Sequence, residues 1–251
     1  NDLNLVSDLV SFYNKFGEAS NYNFIDCPFS TNHDQNRIMS LFKYQFDPEA
    51  ADINTANPLR DESEQLILRD HAKVASSLLL TMPGRPFIYY GEEVGLDGMK
   101  PDSSIRECMP WFEEPFEADG SAKEGLANYG ETLYSLGGEA SVEAQIDQPD
   151  SLYAHYKEVI HARKRIPALM NGDIDEYDLG SQQIVSYIRM TKDQRVLVVV
   201  NLSGETMTQE LPVDPNYGSF HRVLFQSSQD TVSQLNDSAL TLAPYSMIVL
   251  E

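Results

Sequence analysis

The fold of this chain is decided at residues 29–37, which have the sequence Phe-Ser-Thr-Asn-His-Asp-Gln-Asn-Arg. Residues 22–27 before this stretch are mostly apolar and are closed by a proline, which predicts a short buried strand. Residues 38–42 after it place apolar side chains at helical spacing. In a barrel of alternating strands and helices, the step from strand to helix lies at the functional end. We therefore expect His33 and Asp34 to lie at that end.

Three short motifs occur in a fixed order along the chain. The first is Phe-x-x-Asn-His-Asp at residues 29–34, and the second is Gly-Arg-Pro-Phe-Ile-Tyr-Tyr-Gly-Glu-Glu at residues 84–93. The third is Arg-Glu-Cys-Met-Pro-Trp at residues 106–111. Together they resemble the C-terminal part of the α-amylase family, family 13 of the glycoside hydrolases. The third motif departs slightly from the family's Arg-x-Pro-Met-x-Trp. The resemblance covers the whole chain.

Composition limits the classes of partner. The 251 residues carry a formal net charge of −21, from 39 acidic and 18 basic side chains. Such a surface repels nucleic-acid phosphates and anionic membranes, so we expect neither as a partner. No apolar run approaches the roughly 20 residues that cross a bilayer, so we expect a soluble protein. A neutral polysaccharide substrate fits this charge. The compartment is not decided, with an extracellular location slightly favoured.

The two cysteines do not form a disulfide framework. Cys27 is predicted to be buried in the strand before the first motif, and Cys108 to lie in a loop. We expect two free thiols. The Cys and His residues show no metal-ligand spacing, and no cofactor is predicted in this part of the protein. By the family resemblance, a calcium ion would belong to an upstream part.

Helices are predicted at residues 2–17, after residue 37, at 61–82 and at 151–166, the last one capped by Asp150 and Ser151 and stopped by a proline. An apolar run at residues 86–90 predicts a strand buried on both faces of a parallel sheet. Loop structure is predicted for residues 45–61. Residues 91–150, with 15 acidic and 3 basic side chains, are predicted to form an irregular excursion at the rim.

The pattern changes to short strands of period two after residue 167. Strands are predicted at 184–190, 195–202, 206–211, 221–225 and 247–250, with a hairpin turn at 191–194. They indicate a small antiparallel sandwich, similar to the family's C-terminal domain. We therefore divide the chain into residues 1–167, which belong to the catalytic domain, and residues 168–251, which form the sandwich.

A count of strands shows that the barrel is incomplete. A (β/α)8 TIM barrel needs about 250 residues by itself, and only two barrel-type strands precede the sandwich. The predicted fold class is therefore α/β, the C-terminal portion of a TIM barrel followed by an all-β antiparallel sandwich. We expect the N-terminal part of the barrel to lie in upstream sequence and this chain alone to be inactive.

The resemblance implies roles for three residues. Retaining glycosidases use two carboxylates, a nucleophile and a general acid/base, which the family carries on barrel strands four and five, upstream of this chain. Asp34 corresponds to the third acidic residue of the site, which stabilises the transition state. His33 would donate a hydrogen bond to a neighbouring sugar hydroxyl, and Arg37 would lie near the acceptor side and bind substrate.

Structural roles compete with each of these assignments. Asp34 could be the N-cap of the following helix, His33 a structural histidine, and Arg37 the partner of an acid near the sheet. Glu92 and Glu93 lie where a site residue could be, but they are predicted to hold their loop through backbone hydrogen bonds. Tyr89 and Trp111 could stack on sugar faces, or they could pack in the core or the loop. Asp102 and Arg106 could anchor the rim loop rather than contact substrate.

The resulting functional hypothesis is part of a retaining α-glucan hydrolase that cleaves α-glucosidic bonds in starch or maltooligosaccharides. The alternatives are a transglycosylase or isomerase with the same site, and a non-catalytic member that acts as a structural or binding subunit. A glucan-binding role for the sandwich alone ranks below them. The sequence does not decide the α-1,4 or α-1,6 preference or the oligomeric state.

Overall fold

The computed structural model describes the chain in six stretches, which are residues 5–21, 23–46, 62–113, 140–227, 233–236 and 238–251. The chain divides into two compact units. The first unit comprises residues 1–28, 74–86 and 158–251, and the second comprises residues 29–73 and 87–157. The predicted domain boundary between residues 167 and 168 stays a prediction.

The four predicted helices are confirmed, with ends that differ by a few residues. Seven α-helices occur in the described residues: α1 Leu5–Ala19, α2 Ile38–Phe46, α3 Glu62–Thr81, α4 Asp102–Ile105, α5 Val142–Gln145, α6 Leu152–Arg165 and α7 Pro167–Asn171. A 3₁₀ turn at Glu92–Val94 and the short α4 and α5 lie in the predicted excursion, of which residues 114–139 are outside the described residues. The predicted loop at 45–61 also falls mostly outside them, and its first two residues are the end of α2.

The ends of α3 and α6 show how side chains complete the backbone hydrogen bonding of helices. At the start of α6, the Ser151 hydroxyl accepts a hydrogen bond from the Ala154 amide at 3.1 Å, which confirms the predicted cap. Near its end, the Arg163 guanidinium donates to the carbonyls of Leu80 and Met82 at 2.8 Å each. The last carbonyls of a helix have no partner within the helix, so Arg163 supplies donors at the end of α3.

Eight strands form two antiparallel sheets in the first unit. They are β1 Asp173–Glu176, β2 Ile184–Met190, β3 Arg195–Asn201, β4 Met207–Glu210, β5 Val223–Gln226, β6 Gln234–Asn236, β7 Ala239–Leu242 and β8 Met247–Leu250. The larger sheet has the order β1-β2-β3-β8-β5, and the smaller has the order β4-β7-β6. The five predicted strands are confirmed, as is the turn at 191–194, where the Thr191 amide donates to the Gln194 carbonyl at 2.8 Å. Strands β1, β6 and β7 were not predicted.

One apolar core joins the two sheets. Leu240 and Leu242 of the smaller sheet are fully buried against Ile188, Leu197 and Ile248 of the larger one. Alternation along β7 directs both leucines to the same face. Each such side chain contributes about 1.5–3 kcal/mol by its burial. The predicted antiparallel sandwich is therefore confirmed.

The two predicted barrel strands are not formed as strands, and this part of the prediction is wrong. Residue 22 is outside the described residues, and residues 23–28 have no strand assignment; the same holds for residues 86–90 apart from an isolated parallel bridge between Phe29 and Phe87. Ile25 is 58% exposed, Phe87 is 61% exposed, and Cys27 is exposed rather than buried. A parallel strand needs hydrogen-bonded neighbours, and the described residues supply these segments with little beyond that bridge.

Two further expectations concern absences. Among the described residues, no helix is both long and apolar enough to cross a membrane. In the same part of the chain, no group of three or more His, Cys, Asp or Glu side chains is arranged to hold a metal ion. Both described cysteines, Cys27 and Cys108, are free thiols, as predicted.

Candidate active site

Residues 31–37 form an irregular loop in the second unit, between the Phe29 bridge and α2. The side-chain carbonyl of Asn32 accepts a hydrogen bond from the Asp34 amide at 2.8 Å, and its main-chain carbonyl accepts one from the Gln35 amide at 3.1 Å. This Asx turn sets the backbone at Asp34. Since α2 begins at Ile38, four residues later, Asp34 is not the N-cap of that helix. The structural alternative for Asp34 is thereby removed.

The Asp34 carboxylate is exposed and has a cationic or imidazole partner on each oxygen. Its side chain is 65% exposed. Arg106 Nη2 lies 3.0 Å from Oδ1, and His33 Nε2 lies 3.3 Å from Oδ2. Arg106 Nε also donates to the His33 carbonyl at 3.0 Å. The guanidinium thus fixes both the carboxylate and the backbone beside it, and it leaves the site open on its exposed side.

Arg106 is in turn held by a second carboxylate. Asp102, four residues earlier, pairs with Arg106 Nη2 at 2.7 Å. Lys100 also donates to Asp102, and this hydrogen bond together with the charge of Arg106 lowers the pKa of Asp102. These contacts agree with the prediction that Asp102 and Arg106 anchor the rim loop. The spacing of Asp102 and Arg106 is that of a helical ion pair, so their contact could be predicted from the sequence. The contact between Arg106 and Asp34 was missed.

Arg37 is fully buried, in contrast to Asp34. Its Nη1 donates to the Tyr90 carbonyl at 2.7 Å, and its main-chain amide donates to the Gly98 carbonyl at 2.8 Å. The guanidinium carbon lies 4.4 Å from the centre of the Tyr89 ring, within cation–π range. A side chain without exposed surface cannot contact a ligand from solvent. This geometry favours a role in holding the loop, and the predicted substrate contact of Arg37 stays a prediction without geometric support.

Glu92 is the second buried charged group beside this loop. It is 1% exposed, and its Oε1 accepts a hydrogen bond from the hydroxyl of Thr31, which is 2% exposed. Burial raises the pKa of Glu92 to about 7, against the opposing effects of the Thr31 hydrogen bond and the Arg37 charge. A structural role for Glu92 agrees with this contact, but the contact is a side-chain hydrogen bond with Thr31 and not the backbone hydrogen bond that was predicted. Thr31 was missed, because nothing in its local sequence indicates a partner 61 residues away.

Gly91 permits the close approach of these elements. Its φ of +89° is favourable only for glycine, and a Cβ there would lie 2.8 Å from Leu96 and 3.2 Å from Arg37 Nη1. The adjacent aromatic side chains are also engaged. The Tyr89 hydroxyl donates to the Ile105 carbonyl of the rim loop at 2.8 Å, and the Arg37 guanidinium packs against the Tyr89 ring. Trp111 is 54% exposed, and its predicted role as a stacking platform stays a prediction.

A comparison with protein-family models decides the affiliation of this chain. Residues 4–172 match the model described as "Alpha amylase, catalytic domain". The chain belongs to the α-amylase family. Residues 184–249 match a second model, "Alpha-amylase SusG C-terminal domain", which covers most of the sandwich. The resemblance drawn from the three motifs and the predicted fold class, a catalytic α-amylase domain followed by an antiparallel β domain, are confirmed.

Individual relatives agree with this assignment. Alpha-amylase 3 of Dictyoglomus thermophilum is 31% identical over 203 residues, which cover 80% of this chain and 35% of the relative. Trehalose synthase of Thermus thermophilus is 29% identical over 185 residues, which cover 70% of this chain and 19% of the relative. The solved structure of Eubacterium rectale Amy13B shares the fold, with a TM-score of 0.71 and 23% identity over 97% of this chain and 42% of that one. This α-amylase-family chain therefore spans less than half the length of each of these proteins.

Proposed function

We propose that this chain is the C-terminal part of a retaining glycosidase that hydrolyses α-glucosidic bonds in starch-like oligosaccharides or polysaccharides. The observation that carries the proposal is the exposed Asp34 carboxylate, oriented by Arg106 and His33 in a chain of the α-amylase family. The name of the Dictyoglomus relative, an alpha-amylase, supports the same reaction.

Asp34 is the transition-state-stabilising residue in this proposal. Its carboxylate accepts charge-assisted hydrogen bonds from two ring hydroxyls of the sugar. These bonds strengthen as the ring flattens towards an oxocarbenium ion, so they lower the barrier rather than only tightening substrate binding. His33, which is 64% exposed beside Asp34, donates to a neighbouring hydroxyl. The nucleophile and the general acid/base belong to the upstream part of the barrel.

The remaining parts of the proposal follow from this division of the site. The upstream part of the barrel is the partner that completes the cleft, and this chain alone is inactive. No cofactor is assigned to the residues of this chain, and any calcium ion belongs to the upstream part. An extracellular location is slightly favoured over a cytoplasmic one. Residues 168–251 form the C-terminal domain that follows the barrel.

Asp34→Asn in the intact enzyme tests the proposal. The amide keeps the size of the side chain but loses the charge, and we expect kcat on maltooligosaccharides to fall by about 10²–10³-fold. We expect the melting temperature to stay within about 2 °C, because an exposed ion pair contributes only about 0–1 kcal/mol. Asp193→Asn, in the exposed turn between β2 and β3, is the matched control. Near-normal turnover of Asp34→Asn would refute the assignment.

Transfer of the glycosyl group to another sugar is the second candidate function. It is favoured by the similarity to the trehalose synthase of Thermus thermophilus. Resolving the products from a single maltooligosaccharide separates the two reactions. Shorter sugars alone indicate hydrolysis, whereas longer or rearranged products indicate transfer or isomerisation. A non-catalytic family member would form neither, and its upstream sequence would lack the nucleophile or the general acid.

A further inference from the structure

The loop that carries Asp34 is held from its buried side at two points by residues 89–98 of the same unit. At its start, the Thr31 hydroxyl donates to Glu92 Oε1. At its end, Arg37 donates to the carbonyls of Tyr90 and Gly98, at 2.7 and 2.8 Å. Asp34 lies between these two points, three residues from each.

The hydrogen bond between Thr31 and Glu92 lies between two buried side chains. Glu92 and Thr31 are 1% and 2% exposed, so water does not replace a lost hydrogen bond there. Glu92 Oε2 has no hydrogen-bond partner among the described residues, and the same is true of Nε and Nη2 of Arg37. Burying a carboxylate with one oxygen that lacks a hydrogen-bond partner costs free energy on folding. Its hydrogen bond to Thr31 is therefore the contact through which it can act on the loop.

The path from Glu92 to Asp34 is short and consists of hydrogen bonds and the adjoining backbone. Thr31 is adjacent to Asn32, and the Asn32 side chain accepts the Asp34 amide hydrogen bond at 2.8 Å. A shift of Thr31 would move the Asx turn and rotate the carboxylate of Asp34. A misplacement of about 1 Å at a reacting centre can cost about 10²-fold in rate.

We propose that Glu92 is a positioning residue, which sets the orientation of the Asp34 carboxylate through the hydroxyl of Thr31. This inference rests on the proposed function of Asp34 and extends it to a pair of residues that never touch substrate. The hydrogen bond needs only an acceptor at Oε1, so a glutamine at position 92 serves nearly as well. An alanine at 92 or a valine at 31 removes it.

Kinetics of variants in the intact enzyme test the inference. We expect Glu92→Ala and Thr31→Val to lower kcat by about 10–100-fold while KM changes less than about threefold, because Asp34 acts mainly on the transition state. Glu92→Gln and Thr31→Ser keep the acceptor and the donor, and we expect both to retain kcat within about threefold of the wild type. Glu93→Ala removes the neighbouring carboxylate, for which no hydrogen bond to the loop is found among the described residues, and it should leave kcat unchanged.

The position of Asp34 supplies a readout that does not depend on activity. We expect a crystal structure of Thr31→Val to show the Asp34 carboxylate displaced by about 1 Å or more. A wild-type position of Asp34 in that variant overturns the inference, as does a loss in Glu93→Ala equal to that in Glu92→Ala. Normal kcat in Thr31→Val with an inactive Asp34→Asn overturns the positioning role alone. An intact wild-type protein without glycosidase activity overturns the proposed function, and the displacement of Asp34 then still decides the inference.

Discussion

Glu92→Gln should change the pH dependence of stability in a narrow window. Burial raises the pKa of Glu92 from its ordinary value of 4.5 to about 7. The folded protein then binds this proton more tightly than the unfolded chain does. The stabilising contribution of this proton is fully present below about pH 4.5 and is lost as the pH rises through about 7. Glutamine carries no such proton, so the variant should lack this slope.

The size of the effect follows from the two pKa values. At 1.36 kcal/mol for each pH unit, the change from 4.5 to about 7 corresponds to about 3 kcal/mol. Among the described residues, the titratable groups around Glu92 are Arg37, Glu93 and Tyr156. Arg37 opposes the rise and Glu93 adds to it, whereas burial raises the pKa of Tyr156 above its ordinary value, so Tyr156 is neutral in this pH range. The wild type should therefore lose about 3 kcal/mol more than Glu92→Gln between pH 4.5 and 7.5.

Denaturant unfolding of the two intact proteins at half-unit pH intervals measures this difference. The free energy of unfolding of the variant minus that of the wild type should be near its minimum at pH 4.5 and rise steadily to pH 7.5. Glu205→Gln removes an exposed carboxylate of the sandwich and is the control, whose difference from the wild type should stay flat. A flat difference for Glu92→Gln, or one that falls with pH, would refute the reasoning from burial.

Two further predictions concern the stability of the first unit. Gly84→Ala should lower the free energy of unfolding by more than about 2 kcal/mol, because φ is +87° and the new Cβ would lie 2.5 Å from the Asp26 carbonyl oxygen. Gly180→Ala is the control: φ is +69°, but no atom lies within 4 Å of the new Cβ, so the loss measured by thermal unfolding should be only about 1–2 kcal/mol. Equal losses would contradict the steric argument. Arg189→Met should cost about 3 kcal/mol or more in denaturant unfolding, because this fully buried guanidinium donates to three backbone carbonyls that would lose their partners. A loss below about 1 kcal/mol would show that those carbonyls find other donors.

The sequence predicted the sandwich well where its strands are long and apolar. Strands β2, β3 and β8 have the β-branched residues that the pattern requires, and their central residues are buried. Strand β1 was missed because three of its four residues are acidic and only Ile174 is buried. Strand β6 has three residues, too few for a period of two to be detected. Such edge strands are formed by pairing with a neighbour, which local sequence does not record.

The candidate site was predictable only in part, for a similar reason. The motif Asn32-His33-Asp34 is local, so the sequence could place a carboxylate and an imidazole in one loop. The contacts that orient Asp34 come from residues far along the chain: Arg106 lies 72 positions after Asp34, and Glu92 lies 61 positions after Thr31. The prediction of two barrel strands was wrong because a parallel strand forms only with hydrogen-bonded neighbouring strands, which local sequence does not record.

The two sides of the Asp34 loop differ in a way that suits the proposed reaction. On the exposed side, the side chains of Arg106 and Asp34 are 44% and 65% exposed, so their ion pair contributes only about 0–1 kcal/mol. A sugar hydroxyl can therefore replace part of it at little cost in free energy. On the buried side, Glu92, Thr31 and Arg37 have almost no exposed surface, and breaking one of their hydrogen bonds costs about 1–3 kcal/mol. The buried side thus fixes the loop, while on the exposed side the ion pair can be exchanged for a hydrogen bond to sugar in the proposed reaction. A preorganised charge requires this arrangement.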